Sequence, residues 1–148
     1  MRRQRPALMV AGAVACLAAC SSPVPIDSPP LAGDEERACQ KLVDALPERV
    51  GDQDRRDVEG GLGAAYGDPP IVVRCGVELP DELLTSCFAV NGIDWYVDEA
   101  DDAVVALTAG REPSVEVRVP ASYGASNAAL VDVTAIVESS TSASGKGC

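Results

Sequence analysis

The first 19 residues of the chain decide which part of it folds and in which compartment. Arg2, Arg3 and Arg5 precede an almost unbroken apolar run over residues 7–19. A basic start followed by a short apolar run is typical of a secretory signal peptide. The run is shorter than the roughly 20 apolar residues that a membrane-spanning helix needs. The sequence therefore predicts that residues 1–19 are a signal peptide that directs export of the rest of the chain.

A cysteine directly follows this run. Residues 17–20 read Leu-Ala-Ala-Cys, which is similar to the lipobox of bacterial lipoproteins, where the cysteine thiol takes a diacylglycerol group. We therefore expect cleavage before Cys20 and a lipid on Cys20 that holds the protein on the extracytoplasmic face of the cell membrane. An ordinary secretory signal with an incidental cysteine is the alternative. The export route, general secretory or twin-arginine, stays open.

A proline-rich stretch follows Cys20. Residues 21–33 contain four prolines and no apolar period, a composition that favours extended polyproline II. At about 3.1 Å per residue, such a spacer reaches roughly 40 Å. We expect residues 20–33 to be a linker that lifts a single folded domain, residues 34–148, off the membrane. The tail from about residue 139 is predicted to be disordered.

Charge and composition exclude several functions. Cleavage leaves nine basic and 23 acidic residues, a formal net charge of −14, which argues against nucleic acid as a partner because nucleic acid binds basic surfaces. The chain has no histidine. Serine or cysteine nucleophiles activated by histidine are therefore excluded, as are zinc sites that use imidazole. We expect no catalytic residues, no metal site and no cofactor.

The remaining cysteines indicate disulfides. One cysteine is lost with the signal peptide and one is assigned to the lipid, which leaves Cys39, Cys75, Cys87 and Cys148. An even number in a small exported domain predicts two disulfides, with three connectivities open. We favour Cys39–Cys75 and Cys87–Cys148. A metal site with four cysteine ligands is the alternative, but the chain has no Cys-x-x-Cys pair.

Apolar periodicity predicts a helix at each end of the domain. Asp34 is expected to cap the first helix, whose apolar face carries Cys39, Leu42 and Leu46 and which ends before Pro47. The second helix is predicted over residues 125–137. One helical turn is predicted over residues 80–84.

Strands are predicted between the helices, over residues 71–75, 86–90, 93–97, 103–108 and 114–119. Asn91-Gly92 predicts a hairpin with a type I′ turn. Within residues 114–119, Val115, Val117 and Val119 alternate with Glu116 and Arg118, which predicts one buried and one wet sheet face. Residues 49–70 are expected to form a long loop. The fold class is therefore α+β, a small antiparallel sheet of four to five strands with an N-terminal and a C-terminal helix packed on one face.

Several short motifs occur together in order. They are Cys39 with Leu46-Pro47, Arg55-Arg56, the run from Ala64 to Ile71, Arg74-Cys75-Gly76-Val77, Val90 to Trp95, and Val115-Glu116-Val117. Behind a lipobox, this set resembles an uncharacterised actinobacterial lipoprotein family, domain of unknown function 3515, over about residues 37–138. The chain departs from the expected family pattern at Tyr66, where tryptophan is more usual. The resemblance implies a lipoprotein location and no chemistry.

Five residues are candidates for contact with a ligand or partner. Asp68, in the Gly-Asp-Pro-Pro loop, could grip a polar ligand with Arg74 or with Arg55 and Arg56, and guanidinium groups bind carboxylate or phosphate. The alternatives are a rigid turn and a pair of surface charges. Trp95 is either a partner anchor or a core residue.

An acidic stretch invites comparison with calcium sites. It comprises Asp94, Asp98, Glu99, Asp101 and Asp102. Their spacing does not match a calcium-binding loop, so a solvated connection between two strands is favoured.

These observations favour a membrane-anchored, non-catalytic binding or interaction module of the cell envelope, with an envelope protein as its candidate partner. A carrier or sensor for a small ligand is the alternative. An envelope enzyme that uses carboxylates or a metal is less favoured.

Overall fold

The computed structural model of the protein describes residues 22–79, 86–145 and 147–148. Cys20, the signal peptide and the helical turn predicted over residues 80–84 lie outside these residues. The described residues form helices α1 (Gly33–Ala45) and α2 (Asn127–Ser140). They also form twelve strands: β1 (Val24–Ile26), β2 (Arg49–Val50), β3 (Gln53–Arg56), β4 (Val58–Gly60), β5 (Gly63–Tyr66), β6 (Ile71–Cys75), β7 (Ser86–Val90), β8 (Ile93–Glu99), β9 (Ala103–Thr108), β10 (Arg111–Glu112), β11 (Val115–Pro120) and β12 (Ser142–Ala143).

The main sheet is larger than the sequence predicted. In the described part of the chain it has eight strands in the order β2-β3-β5-β6-β11-β9-β8-β7, and all neighbours are antiparallel. The α+β prediction is confirmed, but the predicted four to five strands are too few. The difference arises in residues 49–70, which were expected to form a long loop but add β2, β3 and β5 to the main sheet and form β4 beside it. These strands are only two to four residues long, and each gains its stability from a partner rather than from its own pattern.

The predicted β-hairpin is present. Strands β7 and β8 pair with Val90 opposite Ile93. The turn residues Asn91 and Gly92 have φ values of 47° and 88°, as a type I′ turn requires. The prediction is therefore confirmed. It was possible because the Asn-Gly turn signal depends only on these two residues.

Both helices pack on one face of the sheet and form the core with it. The buried cluster includes Leu42 from α1, Leu130 and Val133 from α2, and Tyr66 and Trp95 from the sheet. On β11, the three valines point into this core, as their alternation predicted. A helix-covered face of this kind is the usual solution for a sheet with one apolar side.

The helix termini differ from the predictions. Helix α1 begins at Gly33, and its N-cap is Ala32 rather than Asp34. Asp34 lies in the first turn, where a carboxylate still interacts favourably with the helix dipole. Helix α2 continues to Ser140, and β12 pairs with β10. The chain beyond residue 139 is therefore structured through Ala143, in contrast to the predicted disordered tail.

The four cysteines form the two pairs that we favoured. Cys39 on α1 is joined to Cys75 on β6, with 5.4 Å between the Cα atoms. Both residues are fully buried, so this disulfide joins helix and sheet inside the core. Cys87 on β7 is joined to Cys148, with 6.1 Å between the Cα atoms. Both of these residues are exposed, and the second disulfide fastens the C-terminus to the edge of the sheet.

The N-terminal segment, residues 22–31, departs from the predicted free spacer. Its strand β1 pairs in parallel with β4, and the side chains of Val24 and Ile26 are 8% and 3% exposed. The segment lies against the sheet face opposite the helices, where it contacts Arg74 and Gly63. That face is therefore covered in part, whereas the alternation of β11 had predicted a wet face.

No helix within residues 22–79, 86–145 or 147–148 is long and apolar enough to cross a membrane.

Candidate functional site

Arg55 supports helix α1 and is not free to act as an anion clamp. Its Nη1 donates to the carbonyl oxygen of Leu46 at 2.8 Å, and its Nη2 donates to that of Val43 at 3.1 Å. The last carbonyls of a helix have no partner within the helix and carry partial negative charge. A cation placed there satisfies the carbonyls and interacts favourably with the negative end of the helix dipole.

Arg56 and Asp68 are brought together, but only loosely. Their closest approach is 3.8 Å between Nη1 and Oδ1, and the Asp68 side chain is 90% exposed. The guanidinium of Arg56 instead donates to the carbonyl oxygens of Gly67 at 3.0 Å and Ser22 at 3.1 Å. An exposed ion pair of this length contributes little to stability. The main role of Arg56 is therefore to hold the Gly67 turn and the start of the N-terminal segment.

Arg74 forms a separate ion pair across the sheet. It lies opposite Glu116 on β11, and its Nη2 is 2.7 Å from both carboxylate oxygens of Glu116. Its Nη1 also donates to the carbonyl oxygen of Asp27 at 3.3 Å. Glu116 is only 8% exposed, so a bidentate partner is needed to offset the loss of its hydration. Arg74 does not meet Asp68, and the predicted grip on a polar ligand is not assembled.

Trp95 is a core residue and not a partner anchor. Its side chain is 0% exposed, and its Nε1 has no hydrogen-bond partner among the described residues. An aromatic ring that is fully buried cannot present its surface to another protein. The core interpretation of Trp95 therefore replaces its candidacy as a contact residue.

Tyr66 is the other large aromatic residue of the core. Its hydroxyl donates to the carbonyl oxygen of Pro47 at 3.0 Å. Burial raises the pKa of Tyr66 to about 12, against a lowering effect of Arg55 and a further raising effect of Glu48. The phenol is therefore neutral at all physiological pH values, and its role is to join β5 to the turn after α1.

The acidic stretch does not assemble a cation site in the described residues, where no group of three or more ligating side chains is close enough to hold a metal ion. Asp98 and Glu99 are adjacent on β8, so their side chains point to opposite faces of the sheet. Asp102 instead pairs with Arg118 at 2.6 Å. The predicted solvated connection between strands therefore holds for Asp101 and Asp102 only, because Asp94, Asp98 and Glu99 belong to β8.

The described residues also form a groove that the sequence did not indicate. We call it the proline groove; its volume is about 430 Å³. It lies between the N-terminal segment, the residues that follow β6, and the loop between β10 and β11. Its apolar lining consists of Pro29, Pro30, Leu31, Val77, Leu79 and Pro113.

Three acids surround this apolar lining. Glu35, Glu78 and Glu112 line the groove, and all three are exposed. Arg111 also lines it, but its Nη2 donates to the carbonyl oxygens of Glu138 at 2.9 Å and Thr141 at 2.7 Å. Arg111 thus supports the C-terminus of α2 as Arg55 supports that of α1. The groove therefore presents net negative charge beside its apolar side chains.

Sequence reasoning missed this groove because its parts are far apart in the chain. The segments at residues 29–31, 76–79 and 111–114 meet only after β1, β6 and β11 are in place. The one local signal is Pro29-Pro30, and such a pair is equally typical of an extended spacer.

Comparison with known proteins gives one match. Residues 6–145 match the model of a family described as "Protein of unknown function (DUF3515)". No curated protein and no solved structure matches the chain.

Proposed function

The chain belongs to the DUF3515 family of proteins of unknown function, and we propose that it works as a lipid-anchored, non-catalytic binding module of the cell envelope. The lipid on Cys20 would hold the folded residues on the extracytoplasmic face of the cell membrane. The basic, apolar N-terminus and the Leu-Ala-Ala-Cys pattern support the anchor. The two disulfides support export, because disulfides persist in oxidising compartments.

The proline groove is the observation that carries the binding role. Its three prolines are rigid, because proline has a fixed φ. Apolar side chains form part of its lining, and its exposed ionisable groups are the acids Glu35, Glu78 and Glu112. Such a surface suits an extended peptide segment that has apolar side chains and nearby lysine or arginine. The partner that fits is a basic segment of another envelope protein.

The contacts of the three candidate arginines support a role without catalysis. Arg55, Arg56 and Arg74 all donate to carbonyl or carboxylate oxygens of this chain. Each is needed to hold a turn, a helix end or a buried acid. A substrate that took one of these donors would have to break a contact that the fold uses.

Photo-cross-linking in intact cells tests the binding role. A photoreactive amino acid replaces Leu79, which lies in the groove and is 42% exposed, or Val131 on α2, which is 50% exposed and outside it. The proposal expects a discrete protein adduct from the Leu79 position only. The adduct should weaken when Glu78→Lys and Glu112→Lys reverse the charge of the rim. Equal adducts from both positions, or none from Leu79, would contradict it.

A small-ligand carrier is a second candidate, favoured by the size of the groove. A volume of about 430 Å³ lies within the range of about 300–1,000 Å³ that is usual for small-molecule sites. The acidic rim would select a cationic ligand. A thermal-shift screen with small cationic compounds separates the two candidates, because a carrier gives a saturable rise in Tm and no protein adduct in the cross-linking experiment.

A further inference from the structure

The N-terminal segment is built into the fold and is not a free tether. The backbone N–H of Val24 donates to the carbonyl oxygen of Asp57 at 2.9 Å, and the N–H of Gly61 donates to that of Ile26 at 2.7 Å. Leu62 N–H donates to the hydroxyl of Ser28 at 3.1 Å. These bonds run along the segment rather than at a single point. They show that residues 24–28 are held throughout their length.

Glycines in the facing strand make room for this contact. At Gly60, an added Cβ would lie 2.7 Å from the carbonyl oxygen of Ile26. At Gly63 it would lie 3.0 Å from the Cγ2 atom of Ile26, and closer still to the carbonyl oxygen of Val73 on β6. At Gly61 an added Cβ would collide with Ser28. Backbone can approach this closely only where side chains are absent. Three glycines within four residues therefore form a seat that fits the N-terminal segment.

Covalent geometry then limits how far the fold can stand from the lipid. The carbonyl oxygen of Ser22 is already held by Arg56, and only two residue steps separate Ser22 from Cys20. Two steps span at most about 7 Å. Pro25 is five steps from Cys20, at most about 18 Å of chain, and it pairs with Glu59 on β4. The predicted reach of roughly 40 Å is therefore not available to the docked chain.

We propose that the domain rests on the membrane surface, with the two-stranded ribbon of β1 and β4 facing the bilayer and α1 and α2 facing away from it. The inference rests on the proposed lipid anchor at Cys20. The occupant of the ribbon surface is the lipid bilayer, because the chain leads from the ribbon to the lipid within a few residues. The ribbon exposes Pro25 and Val58, which is 37% exposed, together with the acid Glu59. The short chain to Cys20, and not an apolar surface, therefore sets the position.

This placement also fixes the orientation of the two helices relative to the membrane. The helices lie on the opposite face of the sheet from the N-terminal segment. The anchored protein would thus present its helical layer to the envelope and hold it at a set height. A docked strand next to the lipid fixes both the distance and the orientation, which a flexible spacer would leave free.

Energy transfer to the membrane tests the orientation. A clickable amino acid is placed at Glu59 on the ribbon or at Val131 on α2, and each is labelled with a donor dye in membrane vesicles that contain an acceptor lipid. Transfer from position 59 should be several-fold higher than from position 131. Insertion of twelve Gly/Ser residues between Ser21 and Ser22 adds about 20 Å of flexible tether and leaves every ribbon contact in place. It should bring the two transfer efficiencies close together.

The outcomes separate this inference from the anchor on which it rests. Metabolic labelling with a clickable fatty acid is measured on the same samples. Equal transfer from positions 59 and 131 in acylated protein, or transfer that the insertion does not change, overturns the orientation alone. Absence of acyl label overturns both the anchor and the orientation.

Discussion

Removing the side chain that seats the N-terminal segment should destabilise the whole domain. Ile26 is 3% exposed and lies against Gly63. Replacing a buried isoleucine by alanine costs about 2–5 kcal/mol, and sites where the structure can relax lie at the lower end. Ile26 is near the margin of the fold, so Ile26→Ala should lower the free energy of unfolding by about 2–3 kcal/mol. If the N-terminal segment were a free spacer, Ile26→Ala would leave the free energy of unfolding unchanged.

Urea unfolding of the mature protein, compared with a matched control, measures this loss. Val58→Ala removes a branched side chain from the strand that pairs with β1, but Val58 is 37% exposed, so the expected change is within about 0.5 kcal/mol. Hydrogen exchange adds a local readout. The amide of Gly61, which donates to Ile26, should lose protection in Ile26→Ala and keep it in Val58→Ala. A change below about 0.5 kcal/mol for Ile26→Ala, with Gly61 unprotected in the parent, would refute the docked strand.

Stability should fall at alkaline pH through Tyr66. Its pKa is raised to about 12 in the folded state, so the unfolded state loses the phenolic proton at a lower pH. Tyr66 therefore contributes about 2–3 kcal/mol to the free energy of unfolding below pH 10, and this contribution is lost as the pH rises to about 12. In urea titrations, the free energy of unfolding of Tyr66→Phe should fall less steeply over this pH range. Glu116→Gln leaves the partly buried Arg74 without its counter-charge and should cost about 2 kcal/mol, and calorimetry should show that the double change Arg74→Met with Glu116→Leu recovers most of it. Mild dithiol treatment followed by alkylation and peptide mapping should open Cys87–Cys148 first, because that pair is exposed; prior opening of the buried pair would contradict the fold.

The sequence predicted those elements whose signal is local and repeated. The Asn91-Gly92 turn and the valine alternation of β11 both appear as expected. Each depends only on neighbouring residues, either through turn geometry or through the two-residue period of a strand. The disulfide pairing that we favoured is also present, and it joins elements that were predicted separately.

The missed strands carry no such signal. Strand β3 reads Gln-Asp-Arg-Arg and is only partly buried. Its place in the sheet comes from pairing with β2 and β5. Short polar strands of this kind gain hydrogen bonds from their neighbours and little from their own side chains. A search for apolar periods therefore assigns them to a loop.

The docked N-terminal segment could not be predicted for a related reason. Its partner surface is made by Gly60, Gly61 and Gly63, and what matters there is the absence of a side chain. Glycine usually indicates a turn or a loop. Its use as a seat for another strand becomes visible only when the two segments, more than 30 residues apart, are brought together. The prolines of residues 23–30 meanwhile favoured an extended spacer.

The candidate site residues were chosen for their chemistry, but the fold determines which groups they contact. Arginine is able to bind an anion wherever it occurs, but Arg55 and Arg111 bind helix carbonyls and Arg74 binds Glu116. Which acceptor a guanidinium meets depends on long-range packing. The proline groove also depends on long-range packing, because its acids and prolines lie in separate segments of the chain.

Mass spectrometry of the N-terminal peptide of the protein purified from membranes tests the anchored state most directly. This peptide should begin at Cys20 and carry a diacylglyceryl group on the Cys20 sulfur. A peptide that begins at Met1, or one that begins at an unmodified Cys20, would contradict it.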